Sequence, residues 1–190
     1  VGPDAPEADA DRGPRGHDEI NRASRAGFFG WPYFNANNKP YVAYDFSKRQ
    51  SLMTPFDAAK PQNKSPNNTG ILDLPPAQPA LIWYPYAASE EFPLVGSGGR
   101  TSMSGPIYYH DDYPKNPKRL PAYYDGKLFI YDWIRGFVMA VTFAENGSVA
   151  NMDRFLPNME FANPMDMAFS PNDGALYMLE YGRSWNTQNL

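Results

Sequence analysis

The sequence SGPIYYHDDYPKNPKRLPAYYDGKLFIYDWIRGFVMAVTFAENGSVANMDRF, residues 104–155, contains four short apolar runs separated by turn-forming residues. The pairs Asp125-Gly126, Arg135-Gly136 and Asn146-Gly147 favour chain reversals, because glycine accepts positive φ angles. Four consecutive antiparallel strands of this length are typical of one blade of a β-propeller. We therefore predict four strands, at residues 104–109, 127–133, 137–143 and 149–155.

The same pattern begins again after this stretch. Residues 164–169 and 175–180 are two further strand candidates, joined by the turn sequence SPNDG at residues 170–174. Blades repeat at intervals of about 40–50 residues. We therefore expect a complete blade at residues 103–157, the start of the next blade at 158–190, and a loop-rich region with part of a blade at 1–102.

One complete blade and parts of two others cannot close a ring, and they leave strand edges exposed. The first residue, Val1, is not a methionine, and the last residues supply no closing element. The sequence therefore predicts that the chain is a fragment of one larger propeller domain, and that this fragment alone is inactive.

The composition favours an all-β fold and excludes several functions. The chain has 20 prolines and 15 glycines in 190 residues, which leaves little room for long helices. The net charge of −4 supplies no basic surface for nucleic acid. Without cysteine, neither a disulfide nor a thiolate metal site is possible. No apolar run approaches the roughly 18 residues of a membrane span.

The region before the blade is harder to interpret. Residues 1–16 are predicted to be an irregular loop, and residues 18–26 fit either a short helix or a strand. Residues 33–80 are rich in turn formers and show no clear elements. The apolar and aromatic sequence at 80–86 is the next strand candidate.

The sequence RGPRGHDEIN, residues 12–21, could hold a hard cation. A Gly-Pro turn can present backbone carbonyls outward, and Asp18 and Glu19 supply anionic oxygens nearby. Ca²⁺ prefers oxygen ligands of both kinds. The alternative is a stiff loop whose acidic residues are solvated or cap a helix.

This loop, followed by GFFGWP at residues 27–32, resembles that of the glucose/sorbosone dehydrogenase family, soluble propeller enzymes that depend on pyrroloquinoline quinone (PQQ). The resemblance covers nearly the whole chain and implies the second half of a six-bladed β-propeller. Further sequences that resemble the family are LIWYPY at 81–86, GGR at 98–100, LPAYYDGKLFI at 120–130, NPMD at 163–166, SP at 170–171 and GALY at 174–177.

The resemblance implies oxidation of a sugar or polyol by hydride transfer to PQQ, assisted by Ca²⁺ and a histidine base. It implies that the carbonyls of Gly13 and Pro14 face the Ca²⁺ of the cofactor, and that Glu19 and the carbonyl of Phe29 hold a structural Ca²⁺. It also implies a carbohydrate substrate, a cytochrome c or other electron acceptor, and a periplasmic or secreted bacterial protein.

The chain departs from the family at several cofactor positions. The family's catalytic histidine belongs to an earlier blade, so we expect His17 and His110 to be surface residues. Arg135 stands where the family has a lysine. The family has two arginines around the segment that here contains Asn163 and Met165, and neither of these residues can clamp a cofactor carboxylate. Arg100, after two glycines, is a further candidate for an anionic ligand.

These departures leave two alternatives to a PQQ-dependent dehydrogenase. One is a non-catalytic carbohydrate-binding or interaction propeller that has lost the cofactor site, and the other is a Ca²⁺-dependent propeller lactonase. The carboxylate pairs Glu90-Glu91 and Asp111-Asp112 could act as acid and base, or be solvated. Four aromatic residues could stack on sugar rings or simply pack in the fold: Trp31, Trp83, Tyr84 and Tyr86.

Overall fold

The computed structural model describes residues 12–113 and 115–183. They divide into two compact units, the first ending at Phe92 and the second beginning at Pro93. In the described residues every strand pair is antiparallel, and the helical segments are three-residue 3-10 turns at Pro93–Val95, His110–Asp112 and Ala122–Tyr124. The all-β prediction is therefore confirmed. The predictions for residues 1–11 and 184–190 lie outside the described residues.

The first unit consists of three two-stranded sheets. The first and last strands pair with each other, from His17 opposite Pro85 to Ile20 opposite Ile82. The other four strands form two hairpins in the region that was expected to lack clear elements. The strands are β1 (His17–Ile20), β2 (Phe34–Asn35), β3 (Lys39–Pro40), β4 (Val42–Asp45), β5 (Gln50–Pro55) and β6 (Ile82–Pro85).

Of residues 18–26, for which a helix or a strand was expected, residues 18–20 belong to strand β1, and residues 21–26 are neither helix nor strand. The hairpins β2–β3 and β4–β5 correct the expectation of an unstructured stretch at residues 33–80. Aromatic rings support them: Phe34 is buried, and Tyr33 packs on Phe56 with ring centroids 4.4 Å apart. The strands β2 and β3 have two residues each, too few for side-chain periodicity. The strands β4 and β5 are longer, but neither has a buried residue, so they have no buried face for an apolar alternation to mark.

The second unit contains the predicted four-stranded antiparallel sheet, in the order β10-β9-β8-β7. The predicted strand at 137–143 agrees at both ends, whereas the first strand begins and ends two residues earlier than predicted. The hairpin predicted at 164–180 is also present. The strands are β7 (Ser102–Ile107), β8 (Leu128–Asp132), β9 (Phe137–Phe143), β10 (Val149–Arg154), β11 (Pro164–Phe169) and β12 (Leu176–Glu180).

The two central strands are buried on both faces. All five residues of β8 and the first five of β9 are buried, although side chains alternate between the faces of a strand. On one face, Phe129 and Val138 belong to a cluster with Met167 of β11, so the following hairpin covers this face. Burial on both faces means that this sheet needs a packed layer on each side.

Gly105 allows the hairpin to approach the sheet closely. A Cβ atom at this position would lie 2.6 Å from Sδ of Met167 and 3.1 Å from the carbonyl oxygen of Phe129. The register of β7 against β8 shifts between Ser104 and Ile107. Such a bulge on an edge strand tolerates the glycine and the proline that follows it.

We expect Gly105→Ala to lower the free energy of unfolding by about 1–3 kcal/mol, because the added methyl group overpacks a buried contact. Urea denaturation measures this effect. Gly70→Ala is the control, since a Cβ there meets only Asn68 at 3.5 Å. The double variant Gly105→Ala/Met167→Ala should lose less unfolding free energy than the sum of the losses in the two single variants. Full additivity would contradict the contact.

A polar cluster joins β10 to the segment before β8. The Tyr123 hydroxyl donates to Oδ2 of Asp153 at 2.7 Å, and Nζ of the buried Lys127 lies 3.3 Å from the same oxygen. The hydrogen bond from Tyr123, opposed by partial burial and reinforced by Lys127 and Asn151, holds the pKa of Asp153 below its ordinary value. The ionised carboxylate therefore stabilises the fold.

Because the folded-state pKa of Asp153 is lowered, its stabilisation is present above the ordinary pKa of about 4 and is lost as the pH falls through the folded-state pKa. We expect Asp153→Asn to lower the Tm by a few degrees at pH 7, and the difference from wild type to narrow below about pH 4. Thermal melts between pH 2.5 and 7 (roughly the range over which carboxylates titrate) test this. Glu145→Gln, at an exposed turn position, is the control; a difference that is independent of pH would refute the prediction.

Candidate functional site

The loop before β1 packs closely on the β3–β4 segment. Gly13 has a φ of 110°, and a Cβ there would lie 2.9 Å from the Pro40 carbonyl oxygen and from Cα of Tyr41. The Val42 amide donates to the Arg12 carbonyl at 3.2 Å, and Pro14 is buried. Only glycine fits at position 13, so the Gly-Pro pair is held in one conformation.

The Arg15 carbonyl connects this loop to two side chains. It accepts hydrogen bonds from Nδ2 of Asn35 at 2.8 Å and from Nδ1 of His17 at 3.0 Å. A carbonyl can only accept, so Nδ1 of His17 carries a proton and the amide orientation of Asn35 is defined. Nδ2 of Asn35 also donates to the Tyr41 hydroxyl at 3.0 Å. Within the described residues, the buried Oδ1 of Asn35 has no hydrogen-bond partner.

Glu19 meets the same segment from the other side. One carboxylate oxygen accepts the Ala36 backbone amide, and the other accepts Nδ2 of Asn21 at 3.2 Å. Burial raises the pKa of Tyr41; the hydrogen bond from Asn35 opposes this shift and the negative charge of Glu19 adds to it. The Glu19 carboxylate is therefore close enough to Tyr41 for its charge to act on the phenol.

Phe29 lies just before a tight turn that leads back to this segment. Gly30, with a φ of 94°, follows it, and the Gly30 carbonyl accepts the amides of Tyr33 at 2.8 Å and Phe34 at 2.9 Å. The chain after Phe29 therefore returns to Phe34, the first residue of β2, and the Glu19 carboxylate binds the amide of Ala36, the residue that follows β2. Both contacts involve residues 34–36.

These residues fit a Ca²⁺ ion. The Glu19 carboxylate retains lone pairs beyond the two hydrogen bonds, and the buried Oδ1 of Asn35 lacks a partner in the described part of the chain. Among residues 12–113 and 115–183, no three His, Asp or Glu side chains lie close enough together to hold a metal ion. Backbone and amide oxygens must therefore supply most of a shell of about 6–8 ligands. Asn35 is not evident from the sequence, where it belongs to a stretch rich in turn-forming residues.

In the second unit, Arg135 anchors a loop. Its guanidinium donates to four carbonyls of residues 95–99, at 2.9–3.1 Å: those of Val95, Gly96, Gly98 and Gly99. Asp132, fully buried, accepts the Arg135 amide at 2.8 Å and the Thr101 amide at 3.0 Å. Arg135 therefore ties the turn after β8 to the glycine-rich loop before β7.

The described residues do not form the cationic clamp that a quinone carboxylate requires. Arg135 uses its guanidinium on the carbonyls above, and Arg100, after the same loop, is half-buried. Nδ2 of Asn163 donates to the Trp133 carbonyl at 2.8 Å, and the Met165 carbonyl accepts the hydroxyl of Tyr131. PQQ therefore does not fit the described residues at these positions.

The remaining candidates are dispersed. His110 lies in a 3-10 turn with its ring 3.1 Å from the Asp111 carboxylate, whereas His17 and Trp83 line a cavity of about 290 Å³ in the first unit. Trp31 is 77% exposed, and Tyr84 is fully buried. Tyr84 thus belongs to the core, whereas His17, Trp83 and the carboxylate pair Glu90-Glu91 line the same cavity.

No family model, curated protein or solved structure matches this chain. Among the described residues, the structure has no helix of the length and apolarity that crossing a membrane requires.

We expect Arg135→Lys to lower the free energy of unfolding by about 2–4 kcal/mol without any cofactor present, because a lysine cannot satisfy four diverging carbonyls. Arg183→Lys is the matched control: Arg183 pairs with Glu160 at 3.1 Å and both side chains are largely exposed. The control should change stability by less than about 0.5 kcal/mol. Equal effects of the two substitutions in urea denaturation would show that the loop does not depend on Arg135.

Proposed function

We propose that this chain is part of a β-propeller of the glucose/sorbosone dehydrogenase type, a periplasmic or secreted protein that oxidises a carbohydrate with the help of Ca²⁺. The observation that carries the proposal is the oxygen-rich cluster of the first unit. It consists of the Glu19 carboxylate and the unpartnered, buried Oδ1 of Asn35, with the Phe29 turn adjoining the same segment. Both Glu19 oxygens bind protein donors, but a buried amide oxygen without a partner, as at Asn35, is costly unless a ligand satisfies it.

Features of the second unit support the propeller. A four-stranded antiparallel sheet is followed by a hairpin whose Met167 packs on its face, as successive blades do. Within the described residues, β12 pairs only with β11. An apolar groove of about 560 Å³ beside the hairpin is lined by Tyr124, Phe155, Leu176 and Met178. Outer strands of a second blade would continue from this edge.

In this proposal, Glu19 with the Phe29 carbonyl would hold a structural Ca²⁺ that fixes the conformation of the loop. The carbonyls of Gly13 and Pro14 would hold a second Ca²⁺, which would supply Lewis acidity at the cofactor. The resemblance implies PQQ as the hydride acceptor and a cytochrome c as one acceptor of its electrons. Because the described residues do not supply the cationic clamp, the proposal assigns neither a quinone contact nor the catalytic base to them.

One observation favours a second candidate function. The Arg135 guanidinium, at the position of the family's lysine, is used on backbone carbonyls, and Asn163 binds the Trp133 carbonyl. A propeller that keeps the scaffold and Ca²⁺ but has lost the quinone site would show this arrangement. Such a protein would bind carbohydrate without oxidising it.

Calorimetric titration with Ca²⁺ tests the metal site. We expect the whole protein to bind Ca²⁺, and Glu19→Gln to weaken the structural site by about tenfold or more, because a carboxylate ligand becomes neutral. Binding through the Gly13 and Pro14 carbonyls should change less, since backbone oxygens survive the substitution. Glu145→Gln, exposed and remote in sequence, should bind as wild type does.

The absence of Ca²⁺ binding in wild type, or equal affinities in wild type and Glu19→Gln, would refute the site. Reduction of an artificial electron acceptor with sugar, Ca²⁺ and added PQQ then separates the two candidate functions. Turnover supports the dehydrogenase. Sugar binding without turnover supports the non-catalytic propeller.

A further inference from the structure

A cavity of about 290 Å³ in the first unit combines charged groups of both signs with one aromatic wall. Arg15, His17 and Lys39 supply the basic groups, and Glu90 and Glu91 supply the acidic ones. Its remaining lining residues are Trp83, Pro85, Ala87, Ala88 and Ser89. This volume is close to the lower end of the range for small-molecule sites.

The charged groups of this cavity are available to a ligand. In the part of the chain that the structure describes, Arg15, Lys39, Glu90 and Glu91 form neither ion pairs nor side-chain hydrogen bonds with one another or with other residues. Two cations and two carboxylates thus face one space without neutralising each other by direct contact. A ligand that donates to the carboxylates and accepts from the cations would satisfy both.

The walls of the cavity are held in place before a ligand arrives. The buried Ser89 accepts the Phe92 amide through its hydroxyl oxygen at 3.1 Å, which shapes the turn that carries the two glutamates. The Phe92 ring packs edge-on against Trp83 with centroids 5.0 Å apart. On the opposite wall, the hydrogen bond from Nδ1 of His17 to the Arg15 carbonyl orients the imidazole. Preorganised walls lower the entropic cost of binding.

The charge balance selects the class of ligand. The two cations would attract an anion, but the two carboxylates would repel it, and the reverse holds for a cation. A neutral polyol avoids both repulsions, because each hydroxyl can donate to a carboxylate and accept from an ammonium or guanidinium group. An indole wall adds a flat apolar surface for the C–H face of a pyranose ring.

We propose that the cavity formed by Arg15, His17, Lys39, Trp83, Glu90 and Glu91 is a binding site for a neutral monosaccharide, and that it binds sugar acids and amino sugars less tightly because each of these meets two groups of like charge. This inference rests on the carbohydrate function proposed above and gives that function a location and a charge selectivity in this chain.

Titration calorimetry with three probes tests the proposal: methyl glucoside, glucuronate and glucosamine, each with the full chain. Methyl glucoside should bind with a millimolar or lower Kd, at least about tenfold more tightly than either charged sugar. Lys39→Gln and Glu90→Gln should each weaken this binding by about tenfold. Trp83→Phe, which keeps an apolar ring against Phe92, should weaken it less than Lys39→Gln does.

Lys64→Gln and Glu145→Gln are matched controls at exposed positions outside the cavity, and both should bind methyl glucoside as wild type does. Circular dichroism confirms that each variant is folded, and Trp83→Phe provides a test that does not alter charge. Lys39→Gln and Glu90→Gln should leave Ca²⁺ affinity unchanged, so failure at this cavity is separable from failure of the metal site. No binding of methyl glucoside, tighter binding of glucuronate, or equal losses in the controls would overturn the proposal.

Discussion

Burial of the central strands on both faces is the constraint on which the second unit depends. In β8, Phe129 and Tyr131 face one side and Leu128 and Ile130 the other, and all four are buried. An isolated four-stranded sheet with one covered face would leave the alternate side chains in water. The β11–β12 hairpin covers one face through Met167, and the absence of a side chain at Gly105 allows its close approach to the sheet. The turn between β8 and β9 is in turn held by two charged residues, Asp132 and Arg135, whose bonds go to backbone groups.

The sequence predicted the longer strands that are flanked by glycine-containing turns. The strand at 137–143 agreed at both ends, because Gly136 and the Asn146-Gly147 pair bound an uninterrupted apolar run. The predicted bounds of the edge strand β7 were two residues too late. Its register shift and the pair Gly105-Pro106 interrupt the alternation of side chains from which strands are predicted. The hairpins of residues 34–55 were missed because main-chain bonds and positive φ angles at non-glycine residues such as Ala36 and Asn38 define them. Asparagine adopts positive φ angles more often than other residues, but alanine has no such preference, so the sequence does not predict both turns.

Residues of the candidate site could be predicted where the residue type alone indicates a structural role. Gly13 could be identified because a Gly-Pro turn restricts the backbone, and the structure adds that a side chain there would collide with Pro40 and Tyr41. Asn35 could not be identified, since its side chain binds the Arg15 carbonyl, 20 residues away, and the Tyr41 hydroxyl in the next hairpin segment. Arg135 illustrates the converse: its sequence position suggests a cofactor contact, whereas its geometry makes it a loop anchor. The partners of a long cationic side chain are set by the fold, and the local sequence does not determine them.

The first unit is stabilised by different means from the second. Its hairpins are short and largely exposed, and side-chain bonds to the backbone hold its loops, as at the Arg15 carbonyl and the Ala36 amide. Polar networks of this kind are strong when every group is satisfied and costly when one is not. Here the buried amide oxygen of Asn35 has no partner among the described residues, although its neighbours are bound. A cation at this position would turn the unsatisfied oxygen into a ligand and would add the charge that the Glu19 carboxylate lacks nearby. In the proposed function this structural ion would stabilise the loop that also contains Gly13 and Pro14, whose carbonyls are assigned to the second ion.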